Sequence, residues 1–139
     1  MNGVIAVRSL LVADTGVTSL VHVARIAAGM LAQGTDLPAI SLISVSSVDR
    51  NVPAPGAKRR VTERVQVTVL ARTYPEVKAI IAAVRRAAAD QMPTIDGFFD
   101  VTVHTDSAGP DFLDEETGIH MQSQDFRVSF NEARLASPS

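Results

Sequence analysis

The sequence contains no cysteine and no tryptophan, and only 4% of its residues are aromatic. Without cysteine, the chain can form no disulfide, offer no thiolate to a metal and use no thiol as a nucleophile. Because large aromatic side chains are scarce, the core is expected to consist of Val, Ile, Leu and Ala. The same scarcity disfavours a small-molecule pocket with aromatic walls.

Long apolar runs and a strong charge excess are also missing. No run approaches the ~18 apolar residues that span a bilayer, and no basic segment precedes an apolar one at the start, so neither a membrane span nor a signal peptide is expected. The net charge of -2 argues against a protein that coats nucleic acid. With 46% hydrophobic residues in 139, we expect one soluble intracellular domain over 1–131, followed by a flexible tail over 132–139.

Residues 60–89 are predicted to form the centre of the domain, as a strand that leads into a helix. In the strand, Val61, Glu63, Val65, Val67 and Val69 alternate with polar residues, as a half-buried strand requires. Thr73-Tyr74-Pro75-Glu76 then has the T-x-x-E pattern of a capping box, with proline in the first turn. The apolar stripe of the following helix consists of Val77, Ile80, Ile81, Val84 and Ala88.

The rest of the chain predicts one more long helix and three more strands. We expect a helix over 3–13, a short helical turn over 18–22, and strands over 39–48, 99–104 and 120–130. The strand over 39–48 is expected to be buried on both faces, and Phe99 is expected to point inward, opposite to Asp100. Residues 49–60 and 106–118 are predicted loops, and 23–33 fit no single pattern. The order α-β-β-α-β-β predicts an α+β two-layer sandwich, with a mainly antiparallel four-stranded sheet and two main helices on one face.

No set of residues points to catalysis, a cofactor or a metal. His22, His104 and His120 are far apart and lack metal-ligand spacing. The acidic segment 111–116 lacks the ligand spacing of a calcium loop, and no glycine-rich phosphate loop or G-x-S-x-G motif is present. We therefore predict no catalytic residue, no cofactor, no metal site and no enzymatic activity.

Two loops of opposite charge instead suggest assembly. A head-to-tail contact uses two different surfaces of one subunit, and such contacts close into rings when the rotation permits. A basic surface and an acidic surface would steer that contact and set its register. The candidate interface residues are Lys58, Arg59 and Arg60 in the basic segment and Asp111, Asp114, Glu115 and Glu116 in the acidic one.

Five short blocks resemble one known family. The run from Val65 to Ala87 (VQVTVLARTYPEVKAIIAAVRRA) resembles the middle of the tail-completion proteins of long-tailed phages, also called tail terminators or head-to-tail joining proteins. The "RI" and "LP" pairs at 25–26 and 37–38 occur in the same order, as do the D-x-x-T-G turn at 114–118 and the D-F-R-V strand at 125–128. One departure lies at 31–34, where relatives often place a proline before the Gln-Gly pair.

The resemblance implies a non-enzymatic virion protein. Such proteins form a hexameric ring at the head-proximal end of the tail tube, stop polymerisation of the tube protein and offer a surface to the head connector; prophages and gene-transfer particles carry them as well. The implied partners are copies of the chain itself, as a homo-hexamer formed before or upon docking, the tube protein and the connector. No sequence-specific nucleic acid and no membrane are implied. The protein would be found in the virion tail, and in the host cytoplasm during assembly.

Three alternatives remain at the level of the sequence. A head-closure or connector protein belongs to the same machinery. A small ligand-binding or enzymatic α+β domain would need a concave pocket with converging polar groups. A nucleic-acid-binding module would show salt-dependent binding to DNA.

Overall fold

The computed structural model describes residues 2–31, 34–50 and 58–133. Within these residues the chain is a mixed α+β protein with three α-helices and a six-stranded sheet. Its helices are α1 (Asn2–Ala13), α2 (Thr15–Thr18) and α3 (Tyr74–Ala88), with a 3-10 turn at Val23–Arg25. Its strands are β1 (Ile26–Ala28), β2 (Ala39–Arg50), β3 (Lys58–Ala71), β4 (Phe98–Ala108), β5 (Phe112–Asp114) and β6 (Ile119–Ala133).

The sheet is organised around its two longest strands, β3 and β6. The strand order is β1-β2-β3-β6-β4, and β5 pairs with β6 beyond the end of β4. All neighbouring strands are antiparallel except β1 and β2. The prediction of a mainly antiparallel sheet is therefore confirmed, but the predicted count of four strands is wrong. Strands β1 and β5 have three residues each, which is too short for an alternating pattern to identify.

The predicted central unit is confirmed. Every second residue of β3 from Val61 to Ala71 is buried, and the predicted stripe of α3 is buried along its length. At the start of α3, the Thr73 hydroxyl accepts a hydrogen bond from the Glu76 amide at 3.3 Å. The Glu76 carboxylate accepts in return from the Arg72 amide at 3.4 Å, one residue before the capping position of an ideal box.

The core is built mainly from small aliphatic side chains, as the composition predicts. Helices α1 and α3 contact each other and both contact β3, β4 and β6. Val4, Val7 and Leu11 of α1 are buried with the stripe of α3, and Phe126 of β6 is the largest fully buried side chain. None of the described helices is long and apolar enough to cross a membrane.

Strand β2 is not buried on both faces, so that prediction is wrong. Ala39, Ile40 and Leu42 are buried, whereas every residue from 43 to 50 is exposed. The first residues of β2 lie between β1 and β3, but β1 ends opposite Leu42. Beyond that point β2 has a strand partner on one side only, within the described chain.

Strand β4 contains a bulge that the alternating pattern missed. Phe99 pairs with Asn131 and Thr102 with Ser129, so two residues of β4 lie opposite one of β6. Asp100 adopts a positive φ of 52° at this bulge. Phe99 was predicted to point inward but is 43% exposed. Phe98, the preceding residue, packs against the core instead, and the centroid of its ring lies 5.3 Å from that of Phe130.

The predicted loops are shorter than expected. Strand β2 continues to Arg50 and β3 begins at Lys58, and residues 51–57 between them lie outside the described residues. The predicted loop over 106–118 contains the end of β4, all of β5 and a turn that ends at Gly118, where φ is 73°. The helical turn expected at 18–22 forms earlier, as α2. The ambiguous segment 23–33 contains the 3-10 turn and β1, while 32–33 lie outside the described residues.

Strand β6 extends through Ala133, so its pairing reaches beyond the predicted domain end at 131. Residues 134–139 lie outside the described residues. The flexible tail over 132–139 stays a prediction.

Candidate assembly surfaces

The predicted basic cluster lies at the first residues of β3 rather than in a loop. Lys58 is exposed, and its ammonium group lies 4.1 Å from the centroid of the Phe99 ring. The Arg59 guanidinium lies 3.8 Å from a carboxylate oxygen of Asp49. Arg60 donates a hydrogen bond to the Asp100 carbonyl at 3.0 Å. All three residues therefore sit on a paired strand, which fixes their backbone positions more firmly than a loop does.

Arg50 adds a fourth cation to this end of the sheet, because it pairs with Arg60 across β2 and β3. Asp49 and Glu132 lie at the same end and offset part of the positive charge, since they pair with Val61 and Arg59. We call Arg50, Lys58, Arg59 and Arg60 the basic end of the sheet.

The predicted acidic residues lie together around β5: Asp111 directly precedes the strand, Asp114 ends it, and Glu115 and Glu116 follow in the turn. Asp114 ends β5, and its carboxylate accepts a hydrogen bond from the Glu116 amide at 3.0 Å. The side chains of Glu115 and Glu116 are exposed. We call Asp111, Asp114, Glu115 and Glu116 the acidic end of the sheet.

Asp111 differs from the other acidic residues because its charge is compensated within the subunit. Lys78 of α3 donates a hydrogen bond to one of its carboxylate oxygens at 2.6 Å, and the Tyr74 hydroxyl donates to the other at 3.0 Å. The hydrogen bond from Lys78, followed by that from Tyr74, lowers the pKa of Asp111 below its ordinary value. The hydrogen bond to Asp111 raises the pKa of Lys78. Asp111, one of the predicted interface residues, therefore links the start of β5 to helix α3 within the subunit.

The basic and acidic ends lie at opposite ends of the sheet. Lys58 pairs with Ala133 and Ala71 with His120, so β3 and β6 pair along the full length of β3. The acidic end adjoins the far end of β3, because Leu113 pairs with His120. About 13 residue steps at roughly 3.4 Å each separate Lys58 from Ala71, which is about 44 Å. The two ends cannot meet within one subunit, and their pairing between subunits stays a prediction.

An ionic contact between an exposed arginine and a buried aspartate lies on the sheet, and the sequence did not predict it. Alternation along β6 puts Asp125 on the face opposite to the buried Phe126, yet Asp125 is only 4% exposed. The Arg64 Nε donates to its Oδ2 at 2.7 Å, and this contact raises the pKa of Arg64. Within the described chain, the Asp125 Oδ1 and the Gln124 Oε1 are buried without a hydrogen-bond partner. Alternation identifies the face of a side chain, but it does not reveal which long side chain on a neighbouring strand covers it.

The histidines make separate local contacts. The His22 Nδ1 accepts from the Ala24 amide at 3.1 Å, and the His104 Nδ1 lies 2.9 Å from a carboxylate oxygen of Asp90. His120 packs edge-on against Tyr74 at 6.3 Å. In residues 2–31, 34–50 and 58–133, no group of three or more His, Asp or Glu is arranged to hold a metal ion.

One groove on the described part of the domain has a mainly apolar lining. The groove, of about 590 Å³, lies between α1 and β1, and its lining includes Ile5, Val12 and Ile26. Arg8 is the charged residue of its lining, and its Nε donates to the Ile26 carbonyl at 2.8 Å. This guanidinium therefore supports the packing of α1 against β1.

The contact between Lys78 and Asp111 predicts a pH dependence of stability. Because the pKa of Asp111 is lower in the folded state, its contact with Lys78 stabilises the fold at pH values above the ordinary pKa of 3.8. This stabilisation is lost as the pH falls through the folded pKa. Because the pKa of Lys78 is higher in the folded state, its stabilising contribution is present at pH values below the ordinary pKa of 10.5. It is lost as the pH rises through the folded pKa. Lys78→Met should therefore lower Tm slightly near neutral pH and have no electrostatic effect in strong acid.

Thermal unfolding of the wild type and of Lys78→Met from about pH 2 to 8 would measure the difference in Tm between the two proteins. Lys78→Met in an Asp111→Asn background is the control, and there the difference should not vary with pH. A difference between the wild type and Lys78→Met that stays constant through the acid range would contradict the assigned contact.

Comparison with known proteins identifies one family. The family model described as "Tail completion protein gp17" matches residues 5–130. A chain of a solved structure titled "Virion of native gene transfer agent (GTA) particle" has the same fold, with a TM-score of 0.72 and 17% sequence identity. The alignment covers 94% of this chain and 96% of that chain. No curated protein sequence matches the chain.

Proposed function

Because the chain belongs to the tail completion protein gp17 family, whose members are structural proteins of phage tails, we propose that it caps the head-proximal end of the tail tube as a ring. The ring ends polymerisation of the tube protein and gives the head connector a surface to join. We further propose that six copies form the ring, before or upon docking to the tube. The protein acts by binding, without catalysis.

The observation that carries this proposal is the separation of charge along the sheet. The basic end and the acidic end lie about 44 Å apart in one subunit, so they are available to pair between subunits. A contact between two different surfaces is heterologous, and its repetition closes into a ring when the rotation between neighbouring subunits permits. Opposite charges at the two surfaces favour this head-to-tail orientation over contacts between like ends.

The paired β3 and β6 make the subunit suitable for this role. A ring that stops polymerisation must hold its surfaces in a fixed geometry, and paired strands are stiffer than loops. In this proposal the domain is a two-layer sandwich, in which α1 and α3 form the layer that supports the sheet. The contacts of both helices with β3, β4 and β6 support that arrangement.

The native mass of the purified protein, alone and mixed with isolated tail tubes, tests the proposed function. We expect a species of six chains, or protein retained at one end of the tubes in negative-stain images. A protein that stays monomeric and does not bind tubes would overturn the terminator role. Binding to head particles instead of tubes would favour the head-closure alternative.

Charge reversal at the basic end should prevent ring formation. In an Arg59→Glu, Arg60→Glu double variant, the basic end would repel Glu115 and Glu116 of a neighbouring subunit. We expect loss of the hexameric species and of tube binding, with the circular dichroism spectrum of the folded subunit retained. Native mass and negative-stain imaging measure the effect.

The matched control is Arg85→Glu, Arg86→Glu, which places the same charge change on exposed positions of α3. This control should still assemble. Adding Glu115→Lys and Glu116→Lys to the Arg59→Glu, Arg60→Glu variant should restore the ring, because the attraction is then reversed in sign. Assembly by the uncompensated Arg59→Glu, Arg60→Glu variant would show that the basic end is not a subunit contact.

A further inference from the structure

Strand β2 has an unpaired outer edge. Residues 43–50 pair with β3 on one side, apart from a bulge at Val45, while β1 pairs with β2 only as far as Leu42. No other described strand lies against this edge. Val45 is 48% exposed and Val48 is 65% exposed. An open strand with unpaired amide and carbonyl groups and exposed apolar side chains is a template for another strand.

The opposite edge of the sheet is protected. Along β4, the Gln91 amide donates to the Val103 carbonyl at 3.2 Å and the Val103 amide donates to the Gln91 carbonyl at 2.8 Å. The segment before β4 therefore covers the middle of that edge. Two irregularities in β4, next to Phe99 and next to Thr105, disturb it further. Native proteins block edges in this way. Strand β2 also has a bulge, at Val45, but no described strand pairs with its outer edge beyond Leu42.

The short strand β5 is also open on one side. Strand β5 pairs with β6 at 119–121 and with no other described strand. Phe112 is 57% exposed and Leu113 is 45% exposed. Strand β5 leads directly into the acidic end of the sheet, while the open edge of β2 leads into the basic end.

We propose that β5 of one subunit adds as a strand to the open edge of β2 in the next subunit of the ring. Main-chain hydrogen bonds between the two edges would provide binding, and their exposed apolar side chains would pack together. The acidic turn after β5 then lies near Arg50 and Arg59 of the neighbouring subunit, which sets the register. This contact rests on the proposed ring and names the strands that form it.

The contact must join two copies of the chain. Val48 pairs with Thr62, and Leu113 pairs with His120, which pairs in turn with Ala71. The two positions are thus about nine residues apart along β3, or about 30 Å. Cysteines at these positions cannot form a disulfide within one subunit, because a disulfide requires Cα atoms about 4.4–6.8 Å apart.

Disulfide cross-linking tests the proposal directly, because the natural chain has no cysteine. Leu113→Cys is combined in turn with Ser46→Cys, Ser47→Cys and Val48→Cys. Each protein is mixed with isolated tail tubes, oxidised and separated without reductant. We expect a ladder of species that increases by one chain mass per step. One of the three positions on β2 should cross-link strongly and its immediate neighbours poorly, because a disulfide forms only between directly opposite residues and successive side chains of a strand point to opposite faces.

Leu113→Cys with Arg85→Cys on α3 is the matched control, and it should give no ladder. Three results would overturn the proposal: no ladder although the ring forms on tubes, a ladder that is equally strong at all three positions on β2, or dimers of the Val48→Cys single variant that indicate β2 pairing with itself. If the ring forms without a ladder, the terminator role stands and this contact is wrong. If no ring forms on tubes, both are wrong.

Discussion

Replacing Phe126 with alanine is expected to lower the free energy of unfolding by about 3–5 kcal/mol. Phe126 is the largest fully buried side chain and lies on β6, where it pairs with Val65 of β3 and Thr105 of β4. Its removal would leave a cavity in a core that contains few other large residues. The aliphatic neighbours are held on paired strands and on α3, so they can fill that space only in part.

Chemical denaturation of the wild type and Phe126→Ala measures this loss. Phe112→Ala is a matched control, because it makes the same substitution on β5 at a side chain that is 57% exposed. The control should change stability by at most about 0.5 kcal/mol. Equal effects of the two substitutions would show that β6 does not form the centre of the core. A smaller slope of the unfolding free energy against denaturant concentration in Phe126→Ala would indicate that the native state has also become less compact.

Replacing Glu63 with alanine is expected to cost about 1–3 kcal/mol of unfolding free energy. Glu63 lies on the inward face of β3 between buried valines and is 2% exposed. Its carboxylate accepts a hydrogen bond from the Gly3 amide at 3.1 Å, at the first turn of α1. The positive end of the helix dipole favours a carboxylate at that place. The substitution would remove both this interaction and the buried volume of the side chain.

Gly3 permits this contact because it has no side chain. A Cβ at that position would lie 2.9 Å from both the Glu63 Cδ and the Val65 Cγ2. Urea denaturation of Glu63→Ala and Glu63→Gln separates the contribution of the charge from that of the side-chain volume and the hydrogen bond. Glutamine keeps a hydrogen-bond acceptor and the volume but removes the charge. Glu115→Ala, in the exposed turn after β5, is the control and should be close to neutral. If Glu63→Ala were as stable as this control, the carboxylate would have no role in positioning α1.

The sequence predicted those elements whose signal is local and long. An alternating strand of about ten residues, a capping motif and a helical stripe of five apolar residues together identified β3 and α3. The long strands β2, β4 and β6 were likewise predicted, apart from their ends. Five blocks of the sequence resemble the tail-completion family, and the family match over residues 5–130 confirms this resemblance.

The positions of the candidate interface residues depended on pairing between distant segments. The composition of 49–60 predicted a loop, but β3 already begins at Lys58, because it pairs with β6 from Lys58 and with β2 from Arg60. The charges of Asp111 and Asp114 look equivalent in the sequence. The structure shows that Asp111 is held by Lys78, 33 residues earlier in the chain.

The family, the long strands and the helix α3 can be predicted from the sequence alone, because periodicity and short motifs are set by residues that are neighbours in the chain. The fold was needed to show that Phe99 is exposed, that Asp125 is covered by Arg64 and that the outer edge of β2 is open. The bulge in β4 arises from its register with β6, and the open edge arises because β1 ends opposite Leu42. These features depend on which strands lie side by side and where each one stops, and no single segment of the chain specifies that.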